Sequence, residues 1–375
     1  MSSVVEARPG RGVRAFPWRG TDLVVLVILV VALVAVTSWP LSSLLPFNPE
    51  FRGDDFARFW RGSHALLTGA QDFPYRPGFG DFFYPAPYLV LSLPFSLLPA
   101  EWSGHLARAL TAMLSLGVVA AWASSDRRVP ISAWFLAASL PVVTAVFLGQ
   151  LPTVAGVAAF SLAIWAQRQD RWWLVGVAVA IGLVRPANAP PVLAMLVVGG
   201  WGRPRGLLTA AATTAAVLVP LSLVVTLWDP HWVPDYLRNV GEYRFGLPAV
   251  LGRSFGAAGV VLPQLVALGL SVYWNRREAG RPLDLDRAAA VMALSVLVAP
   301  YTSAYSAMFA LPAVIRLSRR PGMWVVCPAF ALLPWFGLLA GIGDSPLSFY
   351  ILGPSLVGVF VLATIPVLLR RRNRA

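Results

Sequence analysis

The chain has 375 residues, 57% of them hydrophobic and 13% charged, with a mean hydropathy of +0.68. A soluble domain of this length does not carry so much apolar sequence, so the composition reads as a polytopic membrane protein. The formal charge of +13 comes entirely from arginines, most of them in short clusters between apolar runs; that is a topology signal and argues against a nucleic-acid partner.

In chain order, the first apolar run, "LVVLVILVVALVAVTSW", follows Arg8, Arg11, Arg14 and Arg19. Its length and the lack of a small-x-small cleavage pattern make it a retained first span. A hydrocarbon layer about 30 Å thick needs about 20 apolar residues, and on that rule further spans are predicted at 105–123, 131–149, 206–228, 256–274, 322–341 and 348–369, after a first at 22–40. Shorter runs lie at 152–166, 172–184, 188–201, 288–300 and 306–316; about 14 helical residues rise only about 21 Å. Charge assigns them. With the N-terminus cytoplasmic and each run crossing once, the inner segments hold 21 arginines against 7 acids and the outer ones 9 against 10, as positive-inside orientation requires. The expectation is an all-α transmembrane helical bundle with about 12 crossings. Residues 1–21 form a cytoplasmic tail, 22–369 a single membrane domain and 370–375 a basic cytoplasmic tail. Cys327 is the one cysteine and there are three histidines, so neither a disulfide framework nor a metal or other cofactor is expected.

On this topology the long outer segments are 41–104 and 229–255. The first contains "GDDFARFWRGSHALLTG". If it is helical, Asp55 shares a face with Arg58 and Phe59, while Asp54 turns about 100° away toward Arg58 and Arg61. One reading makes Asp54 or Asp55 the cap of an exposed helix; the other makes one of them a general base at the membrane boundary, where an ionisable group is costly. Downstream, "DFPYRPGFGDFFYPAPYLVLSLPFSLLP" reads as an interfacial, aromatic-anchored segment, and Tyr84 within it would also suit a sugar ring.

"FLGQLPTVAG" places Gln150 at an outer turn, either satisfying loop backbone or serving a site. The short runs pair into hairpins with turns "VRPANAPP" and "APYTSAYS", and limbs so short leave those turns below the outer surface. Irregular backbone at that depth lines a cavity or is buried in protein. The turns therefore suggest a recess rimmed by Arg185, Tyr301 and Tyr305. A guanidinium at such a turn needs an anion, either a phosphate or a loop carboxylate such as Asp54. In "WDPHWVPDYLRNVGEYRFGLPAVLGRSFG" most charges read as solvated, with Arg244 and Arg253 as further phosphate candidates. No G-x-x-x-x-G-K-[ST], H-E-x-x-H, G-x-S-x-G or C-x-x-C pattern occurs, which leaves nucleotide hydrolysis, zinc proteolysis and serine hydrolysis unsupported.

Taken in order, "DF" of the first loop, "GAQDFPYRP", "FFYPAPYLVLSLPFSLLP", "GQLPTVAG", "VRPANAPPVLAML" and "APYTSAYSAMFALPAV" resemble the bacterial membrane enzymes of glycosyltransferase family 87, in the GT-C superfamily. The resemblance runs over about residues 50–315. It implies transfer of a hexose, mannose first, from a polyprenyl-phosphate sugar to a lipid or glycan acceptor at the extracytoplasmic face of a bacterial plasma membrane. The reaction would be inverting and metal-independent. The resemblance places the catalytic base at Asp55, with Asp54 as the fallback. Donor-binding candidates are Arg185, Arg58, Arg244, Arg253, Gln150, Tyr84, Tyr301 and Tyr305, and membrane lipids are the other partner. In the family-like G-Q-x-N stretch this chain has Gln150, Pro152 and Thr153. Where many relatives carry a late histidine pair it has Thr302, Ser303 and Tyr305, a departure that bears on sugar and acceptor identity. The competing readings are a flippase for prenyl-linked saccharides and an O-antigen-type ligase or polymerase.

Overall fold

The computed structural model describes residues 20–38, 41, 53–70, 74–75, 82–124, 129–242, 251–252, 254–276, 279–299 and 304–341. Every regular element among them is helical, as the apolar runs predict. The protein is an all-α membrane protein: among the described residues three helices are long and apolar enough to cross a bilayer alone, and up to five crossings are reached if each of two bent helix pairs counts as one. The expected total of 12 rests on the short limbs and on the run 348–369, which lies outside the described residues.

The helix boundaries follow local chemistry. After α1 (Gly20–Val36) come α2 (Asp54–Thr68) and α3 (Pro87–Ser96), both within the segment expected to be the first outer loop. Helix α4 (Ala100–Ala123) follows, then α5 (Ile131–Trp134) with a 3-10 turn to Ala138, and α6 (Leu140–Leu148). The bend of 47° between the last two segments falls at Ser139–Leu140–Pro141, where a proline in the first turn forbids a straight continuation. Helix α7 (Leu151–Arg168) starts with a proline in its first turn and takes Gln150 as its N-cap residue. Helices α8 (Trp172–Gly182) and α9 (Ala189–Gly200) form the expected hairpin, joined through a 3-10 turn at Pro186–Asn188 and bent by 120°. The chain continues through α10 (Pro204–Trp228), α11 (Trp232–Glu242), α12 (Ala257–Asn275), α13 (Leu285–Val298), a 3-10 turn (Ala304–Ala310), α14 (Leu311–Ser318) and α15 (Val326–Gly341).

Two cores hold these elements. The larger is aliphatic and small-residue rich and runs through α4, α6, α7, α9, α13 and α14. In such an interior, close backbone approach and dispersion replace the hydrophobic driving force that water would supply. The smaller is aromatic: Phe56 and Phe59 of α2 meet Phe82, Tyr84, Tyr88 and Leu89, with Val225 of α10 at its edge. Helices α10 and α12 bury little of their apolar length, as lipid-facing helices do. The aromatic core fixes α2 beside the start of α7, and that placement creates the site.

Candidate active site

The turn between α6 and α7 is the seat of the site. Gly149 ends α6 in the left-handed conformation (φ 69°), with its N–H closing onto Ala145 and Val146 carbonyls, the usual role of glycine past a helix C-terminus. A Cβ at Gly149 would stand 2.9 Å from Phe56 Cβ, so α2 lies directly on this turn. The Gly53 N–H donates to Phe147 O at 2.8 Å and ties the α2 N-terminus down. Phe56 packs edge-on against Phe95 of α3 at 5.2 Å, and Phe59 lies 5.0 Å from Phe82 and 4.7 Å from Tyr84. The aromatic face of α2 is thus inside the protein, and the neighbouring face carries Asp55 and Arg58 toward Gln150.

Gln150 is completely buried and joins three chain segments. Its Oε1 accepts from Tyr84 OH at 2.7 Å and from Thr153 Oγ1 at 2.7 Å, and its Nε2 donates to Asp55 Oδ2. As the N-cap residue of α7, Gln150 makes no side-chain cap to its own helix, although its side-chain oxygen is the natural acceptor there. Its amide is instead turned across to α2. Of the two sequence readings of this glutamine, satisfaction of loop backbone gives way to a side-chain network.

Asp55 keeps 20% side-chain exposure and Arg58 26%, with the guanidinium 3.8 Å from Asp55 Oδ1. This is the i,i+3 pairing that helical spacing predicts. The capping reading fails for Asp55, because the N-cap residue is Gly53, in the left-handed conformation and without a side-chain cap. Asp54 opens the helix, but its side chain lies outside the described residues.

Arg185 differs from expectation. It lies at the α8–α9 bend as predicted, yet it is only 1% exposed and so sits inside the protein instead of on a rim. Its Nη2 donates to Ser306 Oγ at 2.9 Å. The guanidinium carbon lies 5.6 Å from the Tyr84 ring centre and 5.7 Å from that of Tyr305, within cation–π range of both. Its stem crosses α7 at Gly156, where a Cβ would be 3.4 Å from Arg185 Cγ. The physical reason for the burial is that two aromatic faces and a hydroxyl replace water around a weakly hydrated planar cation.

Asp55, Arg58, Gln150, Tyr84, Arg185 and Tyr305 therefore belong to one connected cluster. Arg244, Arg253 and Tyr301 lie outside the described residues. Thr153 and Ser306 were not among the expected site residues, although Thr153 belongs to the G-Q-x-N-like stretch and Ser306 to the hydroxyl-rich turn "APYTSAYS". The first was legible as a hydroxyl three residues after a helix-starting glutamine, the second only as one hydroxyl among several in "YTSAYS". Helix α11 lies against the aromatic core next to the cluster: Asn239 Nδ2 donates to Phe82 O at 2.5 Å, and the Tyr236 ring lies 5.7 Å from Tyr75. Most charges there were expected to be solvated, and Arg238 is indeed exposed, paired with Asp235. No group of three His, Cys, Asp or Glu side chains converges as a metal site among the described residues.

Such a cluster offers a partly exposed carboxylate of fixed orientation next to an arginine, with a buried cation against two tyrosine rings. That combination suits proton abstraction beside an anion. The model of glycosyltransferase family 87 matches residues 82–300, more than half of the chain. The matched stretch contains Tyr84, Gln150, Thr153 and Arg185 but begins after Asp55 and Arg58 and ends before Tyr305 and Ser306. No curated protein and no solved structure matches the chain significantly.

Proposed function

The chain belongs to glycosyltransferase family 87 and is a membrane glycosyltransferase, and on that premise we propose that Asp55 is the general base for transfer of a hexose, mannose first, from a polyprenyl-phosphate sugar. The acceptor is a lipid or glycan hydroxyl, and the reaction takes place at the extracytoplasmic face of a bacterial plasma membrane. The observation that carries this reading is the Asp55 carboxylate, partly open and held by the Gln150 amide and Arg58.

The chemistry is a single displacement. Asp55 takes the proton of the acceptor hydroxyl as its oxygen attacks the anomeric carbon from the face opposite the phosphate. The C–O bond to the phosphate breaks, the electron pair leaves with the prenyl phosphate, and the anomeric configuration inverts. A lipid monophosphate carries less charge than a nucleotide diphosphate, so one or two guanidiniums suffice to balance it without a metal ion. Arg58 is accessible for direct contact. Arg185, buried against the Tyr84 and Tyr305 rings, adds positive charge to the site from inside the protein. Arg244 and Arg253 remain candidates of the second outer segment. The arginine clusters of the segments read as cytoplasmic support the orientation that puts the site outside.

The test is reconstitution in liposomes with radiolabelled polyprenyl-monophosphate and polyprenyl-diphosphate sugars and a bacterial lipid extract as acceptor. Transfer from the monophosphate alone is expected. Use of the diphosphate alone indicates a ligase or polymerase, and translocation of the intact donor without transfer indicates a flippase; either result overturns the proposal.

A further inference from the structure

We infer that Thr153 is a positioning residue for the reaction, acting with Tyr84 to lock the Gln150 amide so that its NH2 group faces Asp55. The inference rests on the reading of Asp55 as the base. An amide oxygen has two lone-pair directions and accepts two hydrogen bonds; Gln150 Oε1 receives both, at 2.7 Å each, from the Tyr84 and Thr153 hydroxyls. With the oxygen saturated at the inner end, the only outward group of the amide is its NH2, and that group meets Asp55 Oδ2. The reverse orientation would put an amide oxygen against a carboxylate. The lock therefore sets which oxygen of Asp55 the amide engages, Oδ2, with Oδ1 turned to the Arg58 side at 3.8 Å.

Three features separate this from ordinary helix-start bonding. The Gln150 side chain caps nothing in its own helix. Thr153 and Gln150 are completely buried, so neither hydroxyl bond is diluted by water, and bonds in such surroundings reinforce one another. Finally, Tyr84 lies under the Arg185 cation at 5.6 Å, which draws density from the ring and makes its hydroxyl a stronger donor to the same oxygen. A threonine methyl contributes packing, but its hydroxyl is what fixes the direction of the amide.

The experiment compares Thr153→Val, Thr153→Ser, Tyr84→Phe and Asp55→Asn. Each is reconstituted in phosphatidylethanolamine–phosphatidylglycerol vesicles with bacterial lipid extract as acceptor. The donor is whichever polyprenyl-monophosphate hexose the unaltered protein uses best. Valine keeps the shape and deletes the hydroxyl, and kcat is expected to fall about tenfold while the donor KM changes by less than about twofold. Serine restores kcat to within about twofold. Tyr84→Phe shows the same split and stands in if the valine variant does not fold. Equal kcat for valine, serine and unaltered proteins, with Asp55→Asn inactive, overturns the positioning role alone. A valine loss that serine does not repair assigns Thr153 to packing and also overturns it. Full activity of Asp55→Asn, or no use of any polyprenyl-monophosphate hexose, overturns the reading of the site on which the inference rests.

Discussion

The two ends of α7 carry the same kinds of side chain in different surroundings. At its start, Asp55 is held by a buried amide, with Arg58 at 3.8 Å. At its other end, about 27 Å away along the helix axis, the carboxylates meet guanidiniums at contact distance. Asp170 takes Arg203 at 2.8 Å and the Trp172 indole N–H at 2.5 Å; Asp286 takes Arg316 at 2.5 Å and has Arg320 at 3.6 Å. Arg168, in the last turn of α7, donates to the Leu283 carbonyl, so the loops at that end are laced together by arginine. Ion pairs at contact distance tie these segments to one another, and each charge is spent on its neighbour. At the start of α7 the orientation of the carboxylate is set by an amide that two hydroxyls hold in turn.

That contrast can be broken most directly at Asp55. Its replacement by asparagine keeps the shape and removes the base, and transfer from the lipid donor is expected to fall by about 10²- to 10⁴-fold while expression and donor binding persist. Equal turnover in that variant would remove Asp55 from the chemistry. Next in size, Arg185→Ala deletes the cation behind Tyr84 and Tyr305. An increase of about tenfold or more in apparent donor KM is expected for loss of a charge-assisted phosphate contact, and an unchanged KM would leave Arg185 a packing role only.

A third test acts through the backbone. Gly149→Ala puts a Cβ into a left-handed residue and 2.9 Å from Phe56 Cβ. A loss of about 1–3 kcal/mol is expected, read as a lower Tm together with reduced turnover, since the same turn seats Asp55. A variant with unaltered Tm would mean that α2 is not held by this contact. The smallest effect belongs to the opposite end of α7: Asp170→Asn, in a pair whose carboxylate is mostly exposed, should change stability by no more than about 1 kcal/mol and leave turnover intact. A large activity loss there would erase the distinction between the two ends.

Much of the fold was legible because membrane helices are dictated by local composition. The apolar runs at 131–149, 206–228 and 256–274 match α5–α6, α10 and α12 closely, and the hairpin at "VRPANAPP" is a bend of 120°. The i,i+3 relation of Asp55 and Arg58 was legible too, since it follows from 3.6 residues per turn. The α4 start at Ala100 and the helices α2 and α3 were not predicted as spans, because their apolar stretches are short or interrupted.

Local sequence was enough for a set of apolar membrane helices and for the residue types at their turns, since hydropathy acts over a few residues. Only the tertiary structure decided that Gln150 reaches Asp55, 95 positions away in the chain, and that Arg185 lies buried against Tyr84, Tyr305 and Ser306. Those contacts depend on how α2 seats on the α6–α7 turn and how the α8–α9 bend meets residues 305 and 306. No local pattern encodes a hydrogen bond whose two partners are brought together by packing.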